Sequence, residues 1–159
     1  MAFMSLDLQR PYALLPEVIA VARAAGREIM AIYAQEFAVT LKDDQSPLTA
    51  ADLAAHRSIK AGLAQIAPQL PQLSEESPAS EIAARREWRS LWLIDPLDGT
   101  REFVQRNGEF TVNIALVHDH EPVLGVLYAP ALGLMYAAAR GAGAWQLDAQ
   151  EHRTPLRAT

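Results

Sequence analysis

From Ser90 to Leu147 the sequence offers five strand-length apolar segments and no helical pattern longer than a turn, which constrains the fold more than any other feature. The segments are Ser90 to Leu97, Thr111 to Val117, Val123 to Ala129, Leu134 to Ala139 and Ala144 to Leu147, rich in the aliphatic and aromatic residues that suit a pleated surface. Gly99-Thr100, Asp119-His120-Glu121-Pro122, Ala129-Pro130-Ala131 and Gly141-Ala142-Gly143 punctuate them as turns. A helical turn is expected near Phe103. Upstream the pattern is different. Pro16 opens a helical stripe of Val18, Ile19, Val21, Ala22, Ala25, Ile29, Met30 and Tyr33, expected to run to about Phe37. After a short strand from Val39 to Lys42 and a polar loop at Asp43 to Pro47, Thr49 reads as the N-cap of a second helix with Asp52 at N3, ending near Ile66 before Pro68. Leu70 to Ser74 reads as a brief strand and Ser80 to Arg86 as a short helix. Helices first and consecutive strands after them predict an α+β fold, N-terminal helices packed on an antiparallel sheet. The polar tail from Glu151 to Thr159 predicts no closing element, and 159 residues suit one domain.

Composition removes several function classes. The net charge is −5 and the basic residues are scattered, their densest cluster being Arg85, Arg86 and Arg89, so no stripe awaits a nucleic-acid polymer. The absence of Cys excludes disulfides, thiol catalysis and Cys-ligated zinc, and a cytoplasmic setting is expected. Asp7 and the interruptions at Pro16, Glu17 and Arg23 are wrong for a signal peptide. Pro122 to Ala139 is uncharged and reaches the lower length limit of a membrane span. Gly125, Pro130 and Gly133 inside it favour two buried strands instead.

Chemistry concentrates where the first long strand ends. In Trp92-Leu-Ile-Asp95-Pro-Leu-Asp98-Gly-Thr100 a strand with Leu91, Trp92, Leu93 and Ile94 in its buried run leads straight into two carboxylates. Carboxylates at the end of a buried strand are costly unless compensated. A hard divalent cation would compensate them, with Asp95, Asp98 and a backbone carbonyl between them as oxygen ligands; a plain turn in which Asp98 caps the next helix explains the spacing equally. Gly99 and Thr100 offer backbone N–H groups at a helix start, which suits phosphate. Leu73-Ser74-Glu75-Glu76-Ser77 is a second acidic feature, read locally as solvated surface unless it faces Asp95, and Asp52 has a local role in the capping box with Thr49. His118 and His120 flank a turn without a third ligand, and His56 and His152 stand alone, so none marks a metal site.

Together these stretches carry a resemblance. WLIDPLDGTREFVQRNGEFTVNIAL from Trp92 to Leu116, SPLTAAD ending at Asp52 and LSEES containing Glu75 are similar to the magnesium-dependent, lithium-sensitive phosphomonoesterase superfamily that includes inositol monophosphatase. Within it, the RNGEFTVNIAL continuation and APALGLMYAA most resemble the bacterial 3′(2′),5′-bisphosphate nucleotidases of the CysQ type. The resemblance covers about Leu15 to Trp145. It implies Mg²⁺ as cofactor, with Glu75, Asp95 and the Leu97 carbonyl as ligands of a first metal, and Asp95 bridging to a second held also by Asp98. Substrate phosphate would sit among these ligands on the N–H groups of Gly99 and Thr100, so that Glu75, Leu97 and Asp98 also line the substrate. Asp52 and the Thr100 hydroxyl would orient and deprotonate the attacking water. The implied reaction is hydrolysis of 3′-phosphoadenosine 5′-phosphate to AMP and phosphate, in sulfur assimilation and nucleotide turnover, by a protein in the cytoplasm or peripheral at the cytoplasmic face of the inner membrane. Inositol monophosphate hydrolysis and an inactive fragment are the alternatives. The family has a further C-terminal half whose Trp-Asp motif supplies another carboxylate, and in these residues the later Trp145 is followed by Gln146. The 159 residues are therefore expected to be the N-terminal subdomain.

Overall fold

A computed structural model describes residues 10–36, 38–42 and 47–157. Residues 43–46 of the expected loop, the expected helix end at Phe37 and the segment before Arg10 lie outside them, while Pro47, expected in that loop, begins a strand instead. Two helices form where the apolar spacing places them: α1 (Leu15–Tyr33) and α2 (Ala50–Ile66). Along α1 the stripe Leu15, Val18, Ile19, Ala22, Ala25 and Ile29 is buried. The helix stops at Tyr33, where Ala34 N–H closes on the Met30 carbonyl and Arg106 donates to the carbonyls of Tyr33 and Gln35. Those bonds supply partners that a helix C-terminus otherwise lacks. Between the helices, β1 (Val39–Leu41) and β2 (Pro47–Thr49) pair as a two-stranded sheet.

Seven strands make the main sheet, in the order β3-β4-β5-β6-β7-β8-β9. They are β3 (Gln72–Ser74), β4 (Ser90–Asp98), β5 (Thr111–His118), β6 (Glu121–Ala129), β7 (Leu134–Ala139), β8 (Gly143–Leu147) and β9 (Arg153–Leu156). Short helices α3 (Ala79–Ala84) and α4 (Thr100–Val104) precede and follow β4. The uncharged stretch 122–139 becomes the β6–β7 hairpin, and among the described residues no helix is long and apolar enough to cross a membrane.

The main sheet departs from the sequence expectation at both of its edges. The sheet is antiparallel from β4 to β9, but β3 lies parallel to β4, with Ser74 opposite Ile94, so the sheet is mixed. A parallel partner needs a crossover, and residues 75–89, including α3, provide it. The tail also closes the sheet: Arg153 to Leu156 pairs with β8, so backbone hydrogen bonds make a strand there without any apolar alternation.

Helices cover one face only. Trp92, Ile94, Val112, Ile114, Leu116, Val126 and Met135 are buried beneath α1 and α2. Gly26 lets α1 approach β6, since a Cβ at that position would lie 2.4 Å from Cε1 of Tyr128. On the other face Leu93 is 46% exposed, Leu127 40% and Tyr136 38%. The expectation that Leu91 to Ile94 are buried as one run is thus corrected: strand periodicity sends Trp92 and Ile94 to the helices and Leu93 to the open side.

Candidate active site

Two devices turn the end of β4 into a chemical site. The first is a bulge. Asp95 pairs with Asn113 and Asp98 with Thr111, so three steps on β4 match two on β5. Pro96 sits inside this irregularity, where its missing N–H breaks no regular ladder, and the extra residue re-aims the two carboxylates. The second is Gly99, with φ +89° as the N-cap of α4. A Cβ on Gly99 would meet the Glu109 carbonyl at 2.8 Å, so a larger residue is excluded by contact as well as by conformation. The chain therefore turns sharply from β4 into α4, leaving the first-turn N–H groups of α4 without intrahelical partners.

Asp52 is brought to this corner from far away in sequence. It is 1% exposed, and its two oxygens do different work. Oδ2 accepts the Thr49 N–H at 2.8 Å and the Thr49 hydroxyl at 2.6 Å, completing the capping box of α2. Oδ1 accepts the Thr100 hydroxyl at 2.9 Å, across 48 residues. The cap and the contact with Thr100 therefore coexist on one carboxylate. The Thr100 hydroxyl lies 3.3 Å from the Leu97 carbonyl oxygen as well.

Glu75 arrives through the parallel pairing, its N–H bonded to the Ile94 carbonyl at 3.0 Å, which sets it beside Asp95. Burial first, then the neighbouring Glu75 and Asp98 carboxylates, push Asp95 up to about 7. Its Oδ1 is buried and has no hydrogen-bond partner among the described residues. A buried, unpartnered carboxylate oxygen beside two more carboxylates is donor chemistry that suits a hard cation. As they stand, these side chains are held by protein groups. Lys42 Nζ lies 3.2 Å from Glu75 Oε1 and also engages Glu76, while Asn113 Nδ2 is 3.3 Å from Asp98 Oδ2. Among the described residues no group of three or more His, Cys, Asp or Glu side chains is arranged to hold a metal ion.

Sequence reasoning passed over Lys42, Asn113 and the contact between His56 Nδ1 and Ser74 Oγ, 2.8 Å, which fastens the end of β3 to α2 just before Glu75. Only the register of β5 against β4 reveals Asn113. A basic residue directly before the polar stretch 43–46 was the available signal for Lys42. His118, by contrast, ends β5 against the Ser90 hydroxyl at 2.7 Å, and His152 pairs with Asp148 in the turn before β9.

Comparison with known proteins points one way. The model of the inositol monophosphatase family matches residues 13–158. A 3′(2′),5′-bisphosphate nucleotidase CysQ of Salmonella typhimurium is 49% identical over 154 residues, 90% of this chain and 61% of the relative. The chain thus spans about three fifths of the length of that relative. The crystal structure of CysQ from Bacteroides thetaiotaomicron superposes with a TM-score of 0.75 at 38% identity, covering 92% of this chain and 59% of that one. The extragenic suppressor protein suhB from Bartonella henselae gives 0.73 at 30% identity, over 84% and 51%.

Proposed function

Because the chain belongs to the inositol monophosphatase family, we propose that it forms the N-terminal, cation-holding subdomain of a phosphomonoesterase that hydrolyses 3′-phosphoadenosine 5′-phosphate to AMP and phosphate. The observation that carries this reading is the buried, unpartnered Oδ1 of Asp95 beside Glu75 and Asp98. The likeness to CysQ proteins favours the nucleotide bisphosphate over other phosphomonoesters.

Mg²⁺ suits these oxygen donors: Glu75, Asp95 and the Leu97 carbonyl would hold one ion, and Asp95 and Asp98 would hold a second. Bound there, the cation would acidify water and neutralise charge on the phosphoryl group. The protein's own groups do the rest. Asp52 Oδ1 accepts the Thr100 proton, which leaves the lone pairs of that hydroxyl free to receive a proton from the attacking water. Thr49 fixes Asp52 through its other oxygen, so the carboxylate cannot turn away. Gly99 and Thr100 present N–H groups to the substrate phosphate at the start of α4. So negative a substrate meets a net charge of −5, and bound cations would invert the local field. A small nucleotide in the cytoplasm, within sulfur metabolism, is the setting this substrate implies.

Phosphate release from 3′-phosphoadenosine 5′-phosphate and from inositol monophosphate by the complete protein of which these residues form the N-terminal subdomain, with and without Mg²⁺, tests the proposal. Mg²⁺-dependent release that favours the nucleotide is expected, with Asp52→Asn lowering it by about 10² to 10⁴, the usual contribution of a general base. Release that ignores Mg²⁺, or an Asp52→Asn protein with undiminished turnover, would discard the assignment. A preference for inositol monophosphate would keep the site and change the substrate.

A further inference from the structure

We propose that Lys42 is an internal cation that competes with the divalent ion for Glu75, so that metal loading has to displace a latch between the β1–β2 hairpin and the carboxylate site. The inference rests on the reading of Glu75 and Asp95 as metal ligands. Lys42 directly follows β1, and its ammonium touches both acidic residues of the loop after β3, Glu75 at 3.2 Å and Glu76 beside it. The burial is uneven. The side chains of Lys42 and Glu76 are 20% and 10% exposed, while that of Glu75 is 52% exposed. The Lys42–Glu76 pair is therefore the sheltered anchor, and the Glu75 contact is the exposed, exchangeable one.

The consequence follows from charge and geometry. One ammonium cannot neutralise Glu75, Glu76 and the nearby Asp95 together, and a divalent cation carries twice its charge at shorter range. Glu75 has two oxygens, of which Oε1 faces Lys42. A cation seated on Asp95 draws Glu75 toward itself and loosens that contact, and like-charge repulsion pushes the ammonium outward. Release of Lys42 frees the end of β1. Because β2 leads directly into Thr49, the residue that fixes Asp52, the hairpin connects the state of Glu75 to the carboxylate that holds Thr100. The latch thus opposes cation binding while keeping Glu75 from standing unpaired beside Asp95 when no cation is present.

Two lysines occur in the chain, and the other, Lys60, pairs with Glu81 at 3.4 Å, which makes it an internal reference. Reductive methylation read by peptide mass spectrometry should modify Lys42 faster once Mg²⁺ is added, with Lys60 unchanged. In parallel, calorimetric titration with Mg²⁺ should show tighter binding by Lys42→Met, about two- to fivefold on the usual strength of partly exposed ion pairs, while Lys42→Arg stays near wild type. Equal affinity in wild type and Lys42→Met, weaker binding in Lys42→Met, or Lys42 reactivity indifferent to Mg²⁺ would overturn the latch and leave the metal site standing. Absence of Mg²⁺ binding in every variant would overturn the site and the latch together. The methylation readout uses the unaltered protein, so it stands even if Lys42→Met folds poorly.

Discussion

The two faces of the seven-stranded sheet share a backbone and differ in almost everything else. The face under α1 and α2 is close-packed, with Trp92 and Leu116 fully buried and Ile114 nearly so. The opposite face is a broad groove of about 810 Å³ lined by Leu73, Leu93, Ala115, Leu127 and Tyr136, and it includes Asp95 and Asn113 at one end. Strand alternation assigns each residue to one face or the other, so the same nine residues of β4 feed the core and the carboxylate site. Packing determines the first face and chemistry the second. A substitution should therefore be judged by the face it lands on before the residue it replaces.

Trp92→Ala should have the largest effect. It empties a fully buried position on the packed face and should cost about 3 to 5 kcal/mol in urea denaturation; a loss under about 1 kcal/mol, typical of an exposed site, would mean that the helices do not seal this face. Gly26→Ala comes next. Its added methyl falls on the Tyr128 ring, and overpacking of this kind should cost about 1 to 3 kcal/mol. Were the variant as stable as the parent, the close approach of α1 to β6 would be wrong. Leu127→Thr is the smallest and tests the other face. It places a β-branched residue in the strand and removes apolar surface from the groove, so stability should move by about 0.5 kcal/mol or less. Light scattering should at the same time show less self-association, because exposed apolar patches of this kind are adhesive. A large stability loss there would show that the groove is packed after all, and the contrast between the faces would collapse.

The sequence made the elements legible because each rests on local chemistry. The stripe from Leu15 to Ile29 could only be a helix face, Thr49 with Asp52 announced a cap, and the turn signals after residue 99 separated strands that pair as neighbours. What stayed hidden depends on pairing across the sheet. The parallel placement of β3 could not be read from three residues, Gln72 to Ser74, and β9 forms from a polar segment whose backbone finds the free edge of β8. Leu93 looked buried because a continuous apolar run does not reveal whether one face or both will be covered. At the site, the motif residues were visible individually, yet the division of labour between the two oxygens of Asp52 and the hold of Lys42 on Glu75 exist only in three dimensions.

The parallel pairing of β3 also bears on the order in which the molecule assembles. From β4 to β9 each strand meets the one before it, so most of the sheet can zip up by closing short loops. The β3–β4 contact must instead close a loop through residues 75–89, and the Asp52–Thr100 bond spans 48 residues. Loop-closure entropy and contact order make such junctions slower than the hairpins. Glu75 therefore reaches Asp95 and Asp98 only when most of the backbone is already in place, and mutual repulsion among the three carboxylates burdens the final docking of β3 rather than the nucleation of the sheet.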